Sequence, residues 1–363
     1  MRKPVQPEKT VIPLAEFIRG PGPRRVAALV LGVSAFAGLF ASSFIGGLHR
    51  PKPHDVPVAV VAPTPAVMKL GEHLGAVVPG GFLLERYGST VLAKKSLQDA
   101  DVDAVWVPPS ISLGSNGRAA PVAQLFTASA LGAVPTEVIT QTFAGVAKAA
   151  GAALTVTDLV PLPSQDPFGT SSFFFSVGVF LPSFLGGIVM SLLLRRAPAP
   201  VPMAAILVLA GCVALVVVAV VDAGLGALVG HSGALIGIGA LTSVALSAPT
   251  VAVTRVVGPA GAVLALLVFV VLGLPASGGP FGAAFLPSFH RAFSAALPLT
   301  NAVDAVRNAS YFGGHALEAH LGTLGIWAGG GFLVLAVMVI LEAESQPAVV
   351  ANPSPGAGAH SPR

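Results

Sequence analysis

Val201–Val221 reads VPMAAILVLAGCVALVVVAVV, without one charged side chain, and it decides the class of the chain. A helix of about 20 apolar residues crosses the roughly 30 Å of bilayer hydrocarbon. Four runs of the same kind lie near it, Phe173–Leu194, Gly233–Thr254, Val257–Pro275 and Leu321–Leu341, and none carries a charge in its interior. A sixth, Val26–Leu48, stands apart, separated from the others by the mostly polar residues 49–172. With 54% hydrophobic and 10% charged residues, a soluble protein of 363 residues would lack the polar side chains to cover its surface. The pattern predicts a membrane α-helical bundle of six spans with an extracytoplasmic α/β domain inserted between spans one and two. Arg24 and Arg25 before an apolar run also suit a cleaved signal peptide, but Val26–Leu48 is too long for a signal core and shows no clear cleavage site.

Basic residues orient the bundle. Arg2, Lys3, Lys9, Arg19, Arg24 and Arg25 precede the first span, Arg195 and Arg196 follow the second, and Arg255 follows the fourth, whereas the turn Asp222–Ser232 has no Lys or Arg. Both termini are therefore expected in the cytoplasm, with residues 49–172 outside. The net charge of +4 and pI of about 9.5 fit cytoplasmic anchoring to anionic lipid better than nucleic-acid binding, since no aromatic-interleaved basic groove accompanies them.

The polar insert alternates strand and helix patterns: strands Val56–Ala62, Phe82–Tyr87 and Ala104–Val107 around helices Ala66–Val77 and Thr90–Asp99. After a Gly/Ser/Asn loop at Ser110–Arg118 come a strand Val122–Ser129, a helix Pro135–Ala150 and a strand Leu154–Val160. Eight Lys/Arg against nine Asp/Glu between Arg50 and Ser172 argue against a strongly charged ligand. Cys212 is the one cysteine and lies in an apolar span, which excludes an internal disulfide and predicts an inert packing thiol.

At the ends, residues 342–363 read as a disordered cytoplasmic tail and residues 1–25 as a cytoplasmic arm. In the arm Val11, Leu14, Ala15 and Ile18 recur at i, i+3, i+4, i+7, the pattern of a short amphipathic helix on the inner membrane surface, although Pro13 and Gly20 equally suit a plain linker. The segment 276–320, between spans five and six, is unusually apolar for a loop, and its Phe, Gly and Pro content predicts broken helices dipping into the outer leaflet. Asp304 and Arg307 share a helix face there as an ion pair, a local staple or an outer-gate latch. His290, His315 and His320 lack metal-site spacing, and Asp99, Asp101 and Asp103 read as a solvated acidic turn rather than a calcium loop. Ser110, Ser112 and Ser115 have no histidine near them in sequence, so no metal, cofactor or catalytic site is assigned and an enzyme is the least favoured class.

Three features resemble the permease subunits of type-2 ABC exporters, in the phage-infection-protein (Pip)-like branch. They are the one-plus-five layout with an external domain opening on Val56-Pro-Val-Ala-Val-Val61, the segment Pro161-Leu-Pro-Ser-Gln-Asp-Pro-Phe-Gly169 before the second span, and Leu297-Pro-Leu-Thr-Asn-Ala-Val-Asp-Ala-Val-Arg307 before the last. The resemblance implies a dimeric plasma-membrane subunit of a bacterium, a homodimer or heterodimer, moving a lipid-like or amphipathic substrate outward with a separate cytoplasmic ATPase. No G-x-x-x-x-G-K-[ST] phosphate loop occurs in the chain, so any ATPase is a separate protein. The loop between spans two and three, Arg195–Pro202, is shorter than the coupling helix usual in such permeases. The expected ATPase-coupling surface is therefore Val11, Leu14, Ile18 and Arg19 of the arm with Arg195 and Arg196. A non-transporting scaffold or receptor, whose external domain binds an envelope partner, is the competing reading. Asp222 and His231 are the ionisable groups nearest the interior of a span, and both sit near span ends, which weighs against an ion-coupled carrier.

Overall fold

The computed structural model describes residues 22–49, 51–113 and 119–344. Among the described residues six helices are long and apolar enough to cross a membrane: α1 (Gly22–Leu48), α5 (Ser171–Leu193), α6 (Pro200–Gly224), α7 (Ser232–Val257), α8 (Pro259–Ala276) and α11 (Leu317–Glu344). They make the chain a multi-pass membrane protein, and each overlaps one expected apolar run. The arm residues Val11, Leu14, Ile18 and Arg19 and the tail from residue 345 lie outside the described residues.

Between α1 and α5 the chain forms a five-stranded sheet, β1 (Val56–Val60), β2 (Phe82–Arg86), β3 (Ala104–Leu113), β4 (Ala119–Thr127) and β5 (Ala153–Asp158), in the order β2-β1-β3-β4-β5. β1 is parallel to β2 and β3, β4 is parallel to β5, and β3 and β4 form an antiparallel hairpin. The loop expected at Ser110–Arg118 is corrected in part, since β3 continues to Leu113. Its register shifts between Val107 and Ser110, where Pro108 and Pro109 have no N–H to give to the ladder. Two prolines and a bulge conceal the second half of the strand from a pattern reading.

The sheet is covered on both faces, as its parallel pairs require. Val56, Val58, Val60, Trp106 and Leu125 pack under helices α2 (Thr64–Val77) and α4 (Ala133–Ala149). Ala59, Val105 and Phe126 face α3 (Thr90–Gln98). Phe285 is buried in the first cluster and Phe312 in the second, so the segment following α8 reaches both faces of the sheet.

Within the bundle α7 is the most enclosed helix, with 67% of its most apolar window buried, and α1 the least, with 0%. Small side chains set the spacing. A Cβ at Gly187 would meet Ser247 Cα at 3.2 Å, and one at Gly239 would meet Ala214 Cβ at 3.3 Å, the close approach that small residues permit between membrane helices. Ser183 donates to Val179 O and lies 2.8 Å from Ser243 Oγ across the α5–α7 contact. Cys212 corrects the expectation of a packing thiol: it is exposed on the outside of α6.

The apolar segment 276–320 contains a half-length helical hairpin. Helix α9 (Ser288–Ser294) leads to a turn at residues 295–297, and α10 (Pro298–Tyr311) leads back toward the sheet. Trp327 Nε1 donates to Ala296 O at 2.7 Å, and Trp327 is ten residues into α11, about 15 Å along its axis. The hairpin therefore enters the bundle without crossing it. Ala295 and Ala296 are exposed at the bundle surface, where an unpaired carbonyl in hydrocarbon would cost several kcal/mol. Asn301 Nδ2 donates to Ala295 O and Leu297 O, both at 2.9 Å, and Trp327 serves Ala296 O, so all three turn carbonyls are paired.

A polar seam between the sheet and the hairpin as candidate functional site

Leu297 and Pro298 start α10, with proline at a helical position that needs no amide donor. Its apolar residues Leu299, Val303 and Val306 face α5, α7 and α8, and its polar residues Asn301, Asp304, Arg307 and Asn308 are thereby carried toward α11 and the sheet. Arg307 Nη1 lies 3.0 Å from Asp304 Oδ1, which realises the expected pair, with the Arg307 side chain only 7% exposed. Its Nε and Nη2 are buried with no hydrogen-bond partner.

A cavity of about 230 Å³ opens beside this pair, walled by Ala100 and Asp103 of the sheet domain, Phe281 and Phe285, and Asp304, Arg307, Asn308 and His320 of the bundle. Here the solvated acidic turn is corrected. Asp101 is exposed, but Asp103 is drawn inward, and burial pushes its carboxyl up to about 6; Arg307 opposes that rise and Asp304 adds to it. Asp99 behaves oppositely. A hydrogen bond from Lys95 holds its carboxyl below the ordinary range, and His315 Nε2, 3.4 Å from Asp99 Oδ1, adds to the effect.

Other ties fasten the sheet domain to the bundle. Arg291 Nη1 lies 2.7 Å from Asp55 Oδ2, and His54 N donates to Ala284 O at 2.9 Å. Asp166, buried ahead of α5, accepts from Thr170 N and Ser171 N at 3.1 Å, which satisfies amides that a helix start leaves open, and also from Tyr311 Oη at 2.7 Å. Burial and that bond keep the Tyr311 phenol well above its usual range, so it remains the donor. Asp166→Ala is expected to lower stability by about 2 kcal/mol, as for hydrogen bonds to a charged group. Tyr311→Phe should cost less, because the two amide bonds survive. Thermal unfolding of the purified protein in detergent tests the ranking.

The three histidines have separate surroundings. His290 Nε2 is 3.1 Å from Ser43 Oγ, whose hydroxyl donates to Val271 O at 2.7 Å, and His290 thereby joins α1 to α8 and α9. His320 Nδ1 is 3.0 Å from Asn301 Oδ1, and His315 faces Asp99.

At the far end of the bundle, Arg195 and Arg196 stand exposed in the turn between α5 and α6, with no ion pair among the described residues. The turn is held from behind. Arg255 Nη2 donates to Leu194 O and Ala197 O, both at 2.7 Å, and Glu342 Oε2 accepts from Ala199 N at 2.9 Å. Arg255 Nη1 is 3.7 Å from Glu342 Oε1.

No family model, curated protein or solved structure matches this chain. Sequence reasoning finds the Asp304–Arg307 pair but gives Asp103, Asp166 and Arg255 no part in a site, and of Arg195 and Arg196 the structure gives only their exposure in the turn. Asp166 carries a usable signal, an acidic residue in a Pro-rich stretch a few residues before a span. Asp103 carries none, because only the fold half-buries it beside Arg307.

Proposed function

We propose that the chain is the membrane permease subunit of an export system that moves a lipid-like or amphipathic substrate outward, with a separate cytoplasmic ATPase and the sheet domain outside. The observation that carries this reading is a laterally open groove of about 490 Å³ between α7 and α11, lined by Pro249, Val253, Trp327, Gly330 and Val334 and their apolar neighbours. A groove whose lining carries no charge, and whose one indole N–H, on Trp327, is already given to Ala296 O, offers a place for acyl or other apolar chains and none for a hydrophilic solute. The hairpin adds a non-crossing element near the sheet that can shift without breaking a span.

The ATPase would dock at the far end, on the turn that Arg255 braces, with Arg195 and Arg196 as its charged contacts. Reversing both charges, Arg195→Glu with Arg196→Glu, is expected to abolish export while leaving membrane insertion intact; unchanged export would refute this docking site. The reading as a whole is tested by purification from native membranes in mild detergent, with mass spectrometry of what accompanies the chain. A stoichiometric nucleotide-binding subunit supports the permease. Its absence from an intact preparation favours a scaffold or receptor that binds an envelope partner. A second cavity supports that alternative: a cleft of about 380 Å³ on the sheet domain, between α2 and α4, lined by Lys69, His73, Trp106 and Pro108.

A further inference from the structure

Arg307 is half used. A guanidinium offers five N–H donors in a planar fork, and a buried donor without an acceptor is costly. Asp304 occupies Nη1, while Nε and Nη2 are buried and unpartnered. Asp103 borders the same cavity from the other side of the seam, on a different domain from Asp304. The unused donors of Arg307 and the carboxylate of Asp103 thus border one cavity from opposite domains.

We propose that Arg307 gains a second partner under proton control: when Asp103 is protonated, Asp304 alone holds Arg307 within α10, and when Asp103 is ionised, the free edge of Arg307 takes it and ties the sheet domain to the hairpin. The groups around Asp103 leave no other recipient. Helix α10 presents Asp304 and Arg307, and α11 presents His320, whose Nδ1 is engaged with Asn301. On its own turn Asp101 is exposed and Asp99 is engaged by Lys95 and His315. The other cavity walls, Leu131, Pro135 and Phe281 to Phe285, carry no charge.

The sign follows from burial. The arrangement with Asp103 apart from Arg307 holds the Asp103 proton up to about 6 instead of 3.8, so it is favoured at low pH and loses its advantage as the pH rises between these values. Above them the ionised carboxylate gains most from Arg307, the guanidinium on the same cavity.

The test uses the full chain in lipid nanodiscs. Amide hydrogen exchange of residues 300–311, corrected for the intrinsic pH dependence, is expected to slow by about tenfold from near pH 5 to near pH 8, the effect of one pK unit of coupling. Asp103→Asn should abolish that change and keep the acid-form exchange at both values. In melting experiments Asp304→Asn should lower the midpoint more near pH 5, where Arg307 has no second partner, than near pH 8. Exchange that is equal at both pH values in the parent chain overturns the proposal, as does a pH dependence that survives Asp103→Asn. The exchange measurement on the parent chain stands even if a variant fails to fold.

Discussion

Gly331→Leu is expected to leave little folded protein. A Cβ at Gly331 would lie 2.5 Å from Pro249 N and 2.7 Å from Ala248 C, both backbone atoms of α7 that cannot rotate aside. The two helices would have to part, and with them the cluster of Leu324, Ala328 and Leu335 against Ala245, Ala248 and Ala252. Overpacking a core costs about 1–3 kcal/mol when side chains can yield. Here they cannot, so the loss should reach the upper end of that range even for Gly331→Ala. Two residues away, Gly329 has nothing within 4 Å of its would-be Cβ, and Gly329→Ala should be neutral. Size-exclusion profiles and melting of the two alanine variants settle the point. Equal behaviour would mean that α7 and α11 do not meet as described.

Arg255→Met is the second large effect, expected at about 3 kcal/mol, the upper end for hydrogen bonds made by a charged group. The ion pair with Glu342 is not the reason. At 3.7 Å, and with Glu342 40% exposed, it is a screened contact worth at most about 1 kcal/mol. The two 2.7 Å bonds to Leu194 O and Ala197 O dominate, because the Arg255 side chain is only 7% exposed and Ala197 O loses its charged donor, while Leu194 O keeps only the bond from Ala197 N at 2.9 Å. Arg255→Lys should rescue little, since an ammonium is a compact point charge without the planar guanidinium fork that spans two acceptors. Glu342→Gln should be mild, because its carboxamide oxygen can still accept from Ala199 N. If Glu342→Gln proves as damaging as Arg255→Met, the charge of Glu342 and not the carbonyl clasp holds the turn. Proteolysis at 194–199, followed with melting, reads both.

The spans are legible in the sequence because a crossing helix must be apolar along its whole length, a constraint that residues 201–221 meet without help from neighbours. The alternating strands and helices of the insert are legible for a similar local reason, and β1, β2 and β5 fall where their patterns place them. What escapes is decided between distant segments. The Asp304–Arg307 pair is visible as a spacing of three, but its burial depends on α10 returning through the bundle. Asp103 looks like its neighbour Asp101 until α10 closes over it. Arg255 looks like a membrane-flank charge, and only the approach of residue 194 to α7 turns it into a clasp. The second half of β3 is hidden because prolines normally end strands and here they sit at a bulge.

The hairpin has both of its roots in the same sheet, but on opposite faces: Phe285, before α9, is buried under α2 and α4, and Phe312, after α10, beside α3. A domain that grips two legs from opposite sides handles them as a key handles a lock. Lifting it straight away from the bundle pulls both legs equally and meets the bonds of Asn301 and Trp327 at the tip. Turning it moves one leg forward and the other back, shears α9 against α10, and leaves the tip in place. Torque on the sheet therefore spares the tip bonds of Asn301 and Trp327 and loads the ties at the roots, Arg291 with Asp55 and Tyr311 with Asp166.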